Sequence, residues 1–146
     1  MRRSASLLAL VALILLLSPP LVLAGFPVTT HLTLPLNGVT SSGVVVLGSV
    51  HVTTHAAVGG SLTISLNPVG LNATSTTGTP YIAVGSAHSS GPFTTNPPPL
   101  TYTLTLIRTG ADPLHSHPPA VLPLSVVLFI TFSDTGEVLD ASLSPS

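Results

Sequence analysis

The feature that most constrains the fold is a regular alternation of apolar and hydroxyl-bearing residues. It is clearest at residues 100–106, Leu-Thr-Tyr-Thr-Leu-Thr-Leu. A period of two places successive side chains on opposite faces of a β-strand, so one face of the strand is apolar and the other is polar. The 3.6-residue period of an amphipathic helix is found nowhere after residue 24. The chain is therefore predicted to be all-β.

The same alternation predicts about seven strands, joined by turns rich in glycine, proline and asparagine. The predicted strands cover residues 29–36, 44–55, 62–67, 81–87, 100–106, 124–132 and 138–143. Turns are expected at Asn37-Gly38, Gly59-Gly60 and 134–136, and longer connections at 68–80 and 110–123.

Two strands have unusual patterns. Gly48 interrupts the second strand, which indicates a β-bulge or a close approach of another backbone segment. Residues 124–132 are almost continuously apolar, which is typical of a central strand that is buried on both faces.

The number and length of these strands favour two antiparallel sheets packed into a sandwich. Residues 25–146 are enough for one domain with one hydrophobic core. The chain has no Cys and no Trp, so the disulfide and core tryptophan typical of immunoglobulin domains are missing. An immunoglobulin-like and a jelly-roll topology therefore both fit the pattern.

The first 24 residues have the pattern of a secretory signal peptide. Arg2 and Arg3 precede an apolar run at 7–17, and the small residue Ala24 ends the segment. The apolar run is shorter than the roughly 20 residues that a membrane-spanning helix needs. We predict cleavage after Ala24 and a secreted, periplasmic or cell-surface product that has no contact with the membrane once the peptide is removed.

The mature product carries very little charge. Arg108 is its only fixed cation, against Asp112, Asp134, Glu137 and Asp140, which gives a net charge of −3 with neutral histidines. Nucleic acids and anionic lipids are bound mainly by lysine and arginine. Neither is therefore expected as a partner.

A metal site is predicted at His115 and His117. Two histidines separated by one residue can converge on one ion in a loop, and imidazole is a good ligand for zinc, copper and nickel. A third ligand would come from His31 or His88. The alternative interpretation is that all of these histidines are solvent-exposed polar residues without a ligand role.

His51 and His55 are a weaker pair. They lie four residues apart in a predicted strand, on one face and about 13 Å from each other. That spacing brings two histidines onto one metal in a helix but not in a strand.

Residues 51–55, 66–74, 76–81 and 132–138 resemble a loose group of small exported bacterial β-sandwich proteins. The resemblance covers most of residues 44–143 and is carried by turns and alternation. It implies a β-sandwich fold, and it implies no function.

No enzyme motif accompanies this pattern. The sequence contains no Gly-x-Ser-x-Gly elbow, no phosphate-binding glycine loop and no cofactor fingerprint, so neither catalysis nor a cofactor is predicted.

The first functional hypothesis is an exported structural or interaction module, which binds itself or another surface protein through edge strands that carry no lysine. The alternative is a secreted or periplasmic binding protein, with a metal bound by His115 and His117. Asn72 also begins an Asn-Ala-Thr pattern for N-glycosylation.

Overall fold

The structure, a computed structural model, describes residues 25–110 and 120–146. The predicted signal peptide, residues 1–24, lies outside the described residues. The strands are β1 (Val28–Pro35), β2 (Gly38–Val39), β3 (Val45–Ala56), β4 (Ser61–Thr74), β5 (Pro80–Val84), β6 (Ala87–Pro92), β7 (Leu100–Arg108), β8 (Val121–Phe132) and β9 (Val138–Pro145). In this part of the chain no helix has the length and hydrophobicity that a membrane span requires.

All nine of these strands belong to one antiparallel sheet. The order is β1-β3-β4-β5-β7-β8-β9, with β2 beside β3 and β6 beside β4. The sheet curls until β1 contacts β9, and so nearly closes into a barrel. The all-β prediction is confirmed, but the prediction of a two-sheet sandwich is wrong. Alternation places every second side chain in a core in either architecture, and it does not encode whether the strands pair in one sheet or two.

The core lies inside the curled sheet and is built from the apolar half of each alternation. On β7, Tyr102, Leu104 and Leu106 are buried and the intervening threonines face outward, as predicted. Strand β8 differs from the prediction, because it is not buried on both faces. Ile130 is 4% exposed, whereas its neighbour Phe129 is 47% exposed. The apolar run at residues 124–132 therefore gives β8 one buried face and one outward face that is also apolar.

Gly48 marks both a register shift and a close approach, so both predicted features are confirmed. Leu47 and Ser49 are two steps apart on β3, but their partners on β4, Asn72 and Val69, are three steps apart. The extra residue thus lies on β4. Gly48 has a φ of +149°, and a Cβ atom there would lie 2.6 Å from the Gly70 carbonyl oxygen.

The prediction of a turn at Asn37-Gly38 is wrong, and the cause is the register shift at Gly48. The Asn37 side chain accepts a hydrogen bond from the Gly48 amide (3.1 Å), and Gly38 then pairs with Val46. Strands β1 and β2 therefore continue in one direction along β3. The chain reverses only afterwards, where the Gly43 amide donates to the Thr40 carbonyl.

Residues 68–80 are not a long connection, because β4 continues to Thr74 and only a short turn at 75–79 follows. Pro68 fits inside this strand since it pairs with Val50 of β3, while residues 67–71 pair with neither β5 nor β6 on the other side. Because no strand pairs with Pro68 on that side, its lack of an N–H costs the sheet no hydrogen bond there.

The predicted strand 81–87 is shorter than expected, because β5 ends at Val84. Strand β6 was not predicted.

The buried hydroxyl of Thr54 gives a first testable prediction. The side chain is fully buried in the core, and its Oγ1 atom has no hydrogen-bond partner within residues 25–110 and 120–146. Thr54→Val removes an unpaired polar atom with almost no change of shape, so we expect it to raise the free energy of unfolding by about 1–2 kcal/mol. Urea unfolding measures the change. Thr103→Val, at an outward position of β7, is the control and should shift stability by less than about 0.5 kcal/mol; equal or lower stability of Thr54→Val would contradict the prediction.

The close approach at Gly48 gives a second prediction. Gly48→Ala places a methyl group against the backbone of Gly70 and Leu71 in a conformation unfavourable for L-residues, so we expect a loss of about 2–3 kcal/mol of stability. Gly91→Ala is the matched control, because a Cβ atom there meets no heavy atom within 4 Å. Similar unfolding midpoints for the two variants would show that the approach at Gly48 is not tight.

Candidate binding surfaces

A grid of uncharged polar side chains covers the outward surface of β1, β3, β4 and β6. We call it the histidine face. The antiparallel register aligns its residues in three rows across the strands: His31–Thr53–Ser65–His88, Thr29–His55–Thr63–Ser90 and Thr33–His51–Asn67. On β1, β3 and β4 each position is the polar half of an alternation, so its outward direction follows from the sequence. Strand β6 has no apolar alternation, and the register with β4 shows that its two positions face outward. None of these side chains carries a formal charge when histidine is neutral.

Cross-strand contacts order part of this face. The hydroxyl of Thr29 lies 2.8 Å from Nδ1 of His55, and Nδ1 of His31 lies 3.1 Å from the hydroxyl of Thr53. The rings of His31 and His51 meet edge to face, with 5.9 Å between their centroids. These imidazoles are therefore oriented by neighbours on the adjacent strand, and they present donors and acceptors to solvent in fixed positions.

The described histidines do not converge on a metal ion. His31 and His88 occupy the same row, but two strands separate them, which corresponds to about 14 Å at the usual strand spacing. His51 and His55 share the outward face four residues apart, as predicted. Within residues 25–110 and 120–146 no group of three or more potential ligands is found. His115 and His117 lie outside the described residues, so their role as ligands stays a prediction.

The other half of the sheet carries exposed apolar side chains, which we call the apolar band. Its members are between 41% and 65% exposed: Val39, Val45, Leu47, Ile82, Ile107 and Val121. Cross-strand register places Leu47, Asn72, Ile82, Ile107 and Val121 in one row across five strands, and Val39 pairs with Val45 beside it.

The band was not predicted from the sequence, because alternation was assumed to put polar residues outside. The available signal is the absence of alternation at Val44-Val45-Val46-Leu47 and at Leu106-Ile107. Two consecutive apolar residues in a strand place one of them on each face. Asn72, the start of the glycosylation pattern, lies exposed within this band and donates from its side chain to the Gly70 carbonyl (3.1 Å).

A gap in strand pairing separates β6 from β7. Among the described strands, β6 pairs only with β4, and residues 100–104 of β7 pair only with β8. A cavity of about 240 Å³ lies at this gap, and we call it the β6–β7 cavity. Its lining is Leu62, Ile64, Ser89, Ser90, Gly91, Pro92, Thr94, Pro97, Pro98 and Leu100.

Tyr102 bridges the gap beside this cavity. Its hydroxyl lies 2.6 Å from Oγ of Ser89 on β6. Burial raises the pKa of the Tyr102 phenol above its usual value, and the hydrogen bond with Ser89 acts in the opposite direction. The fold therefore holds this phenol in its neutral form.

The raised pKa of Tyr102 predicts how stability depends on alkaline pH. A phenol whose pKa is higher in the folded than in the unfolded chain contributes stability that is fully present below the unfolded value of about 10 and is lost as the pH rises through the folded value. We therefore expect the free energy of unfolding to decline above about pH 10. Tyr102→Phe should reduce this decline, measured by urea unfolding at a series of pH values. Identical pH profiles for the two proteins would contradict the assignment.

Comparison with known proteins identifies no relative of this chain. No protein family matches it, and no curated protein or solved structure is significantly similar to it. The resemblance to small exported bacterial β-sandwich proteins gains no support from these comparisons. Function is therefore inferred from the molecule's own surfaces.

Proposed function

We propose that the protein is an exported interaction module of the cell surface or extracellular space, without catalytic activity, that associates with a second copy of itself through the apolar band. The observation that carries this proposal is the row of exposed apolar side chains across β3, β5, β7 and β8. The signal-peptide pattern at 1–24 supports export.

The band is a favourable contact surface because water covers it in the isolated molecule. Burial of apolar area contributes about 25 cal/mol per Å². Isolated exposed apolar residues are common, but contiguous exposed patches are characteristic of interaction sites. Four of the six side chains lie in one row, which Asn72 interrupts, and the other two pair with each other beside it. Together they form one exposed surface that is mainly apolar.

A second copy is the partner that this surface fits best. A two-fold contact brings the same surface of each subunit together, so that surface must complement itself. Identical apolar surfaces attract each other, whereas surfaces with the same formal charge repel. Asn72 also complements itself, because its amide combines a donor and an acceptor and can pair with the same residue across a two-fold axis.

The outer surface supports association better than the strand edges do. The first strand of the sheet, β1, contacts the last, β9, so each partly covers the edge of the other. Pro145 on β9 lies so close to β2 that a Cβ atom on Gly38 would be 2.8 Å from its Cγ. The edges of β1 and β9 are thus crowded, and the proposal places the contact on the band instead of on an edge strand.

The non-catalytic part of the proposal is supported by where the ionisable groups lie. The described carboxylates, Asp134, Glu137 and Asp140, belong to the β8–β9 hairpin. The described histidines belong to the histidine face on β1, β3, β4 and β6. The turn before β9 is held by Ser133, whose hydroxyl accepts from the amides of Thr135 and Glu137, which is a structural role for this segment.

The self-association is tested by placing a charge in the band. Ile107→Glu puts a carboxylate in the apolar row between Ile82 and Val121. It would be buried there without a partner in the dimer, so we expect dimer affinity to fall at least about ten-fold, or about 1.4 kcal/mol. Thr103→Glu adds the same charge on the same face of β7 but outside the band, and it should leave the dimer intact. Sedimentation equilibrium of the purified proteins measures both.

Three outcomes would contradict the proposal. The first is a wild-type protein that stays monomeric at high concentration. The second is an equal loss of dimer affinity in the two variants, and the third is a band that binds lipid instead of a second copy. Co-sedimentation with neutral phosphatidylcholine vesicles distinguishes the last case, since a band that binds lipid would pull the wild type but not Ile107→Glu into the pellet.

A further inference from the structure

We propose that the β6–β7 cavity is a binding site for a small, uncharged, apolar molecule of about one or two rings. The cavity lies where the sheet lacks strand pairing, and it is separate from the apolar band. It therefore goes beyond the proposed self-association.

The walls of the cavity are apolar and already in place. Leu62 and Ile64 are buried in the core beneath it, and Leu100 faces the same interior because it pairs with the buried Leu128. The outer wall is the loop that carries Pro97 and Pro98, whose rings restrict the backbone.

Hydrogen bonds fix the first part of that loop, before the prolines. The Phe93 amide donates to the Gly60 carbonyl at 2.9 Å, and the Phe132 amide donates to the Thr95 carbonyl at 2.8 Å. The rings of Phe93 and Phe132 also meet edge to face at 5.8 Å. A ligand entering the cavity would find it preorganised, so little binding energy would be spent on ordering the site.

The size and spacing favour a small molecule over a peptide strand. The volume of about 240 Å³ exceeds that of an engineered cavity of roughly 150 Å³ that binds benzene. An inserted strand would need about 9.6 Å between β6 and β7, twice the usual strand spacing. Some Cα atoms of these two strands lie within 8 Å of each other, so a strand does not fit between them along the full gap.

The polar groups of the cavity select against charge. Among the described residues, no charged side chain lines it. The hydroxyl of Ser89, the lining residue beside Tyr102, is already hydrogen-bonded to that phenol. A charged ligand would therefore lose its hydration without gaining an ionic partner, whereas a neutral apolar ligand would not. The exposed Thr94 leaves one hydroxyl among the lining side chains for a neutral polar group on the ligand.

Gly91 allows the cavity to be closed without disturbing the fold. It pairs with Leu62, which faces the interior, so a side chain at position 91 would also face inward. A Cβ atom there meets no heavy atom within 4 Å. Gly91→Leu is thus expected to fill the cavity with an apolar side chain while β6 keeps its pairing with β4.

The experiment uses indole as the probe and the amide chemical shifts of the ¹⁵N-labelled protein as the readout. For the wild type we expect shifts concentrated in residues 89–100 and a Kd of about 1 mM or tighter, as for an efficient ligand of this size. Gly91→Leu should weaken binding at least ten-fold. Thr103→Leu places the same side chain on the outward face of β7, and this variant should bind indole like the wild type. The charged analogue indole-3-acetate should bind to the wild type at least ten-fold more weakly than indole does.

Leu100→Phe provides a second way to fill the cavity if Gly91→Leu does not fold. The proposal is overturned if the wild type shows no localised shifts at roughly ten times the expected Kd, if both filled variants bind indole as well as the wild type, or if the charged analogue binds equally well. Dimer formation does not enter this readout, so failure here leaves the proposed self-association standing.

Discussion

The structure depends on the long antiparallel pairing between β3 and β4. This pairing runs from Ala56 opposite Leu62 to Val45 opposite Thr74, and it includes one register shift opposite Gly48. Because side chains alternate with a period of two, the extra residue on β4 changes which of its positions face inward. Before the shift Leu62, Ile64 and Leu66 are buried, and after it Leu71 and Ala73 are buried. The shift is accommodated because Gly48 has no side chain where the backbone of Gly70 and Leu71 approaches it, and because Gly70 adopts a positive φ of +60°.

The length of β4 also creates the gap that holds the cavity. No single neighbour covers its second edge, which pairs first with β6 and then with β5. Only β5 continues the sheet to β7, so β6 ends as a side branch. Tyr102 compensates for the missing ladder with one side-chain hydrogen bond to Ser89. This one contact does not close the whole gap, and the remaining volume is lined by apolar groups from the core.

Alternation predicted most of the strands, the hairpin at Gly59-Gly60 and the turn at 134–136, because these depend on local patterns. It could not predict that the sheet curls on itself, since a sandwich and a nearly closed sheet bury the same alternate residues. Strand β6, with the sequence Ala-His-Ser-Ser-Gly-Pro, has no apolar alternation, and pairing with β4 alone makes it a strand. The outward direction of the histidines on β1 and β3 follows from the alternation. The grouping of side chains into the histidine face and into the apolar band does not, because both groupings require the strand partners to be known.

The two proposed sites lie at opposite ends of β4, which makes them independent of each other. Asn72 lies in the apolar band, and Leu62 lies in the wall of the cavity, ten residues away along β4 and thus about 30 Å at the usual rise of a strand. The histidine face occupies the outward surface of the cavity-bearing half, from Thr63 to Asn67 on this strand. A dimer formed through the band would therefore leave the cavity and the histidine face open to solvent. Coupling between two sites requires an element with two alternative arrangements that both ligands bias. Strand β4 connects the two sites, and one register holds its two halves together. We therefore expect occupancy of the cavity to leave dimer affinity unchanged.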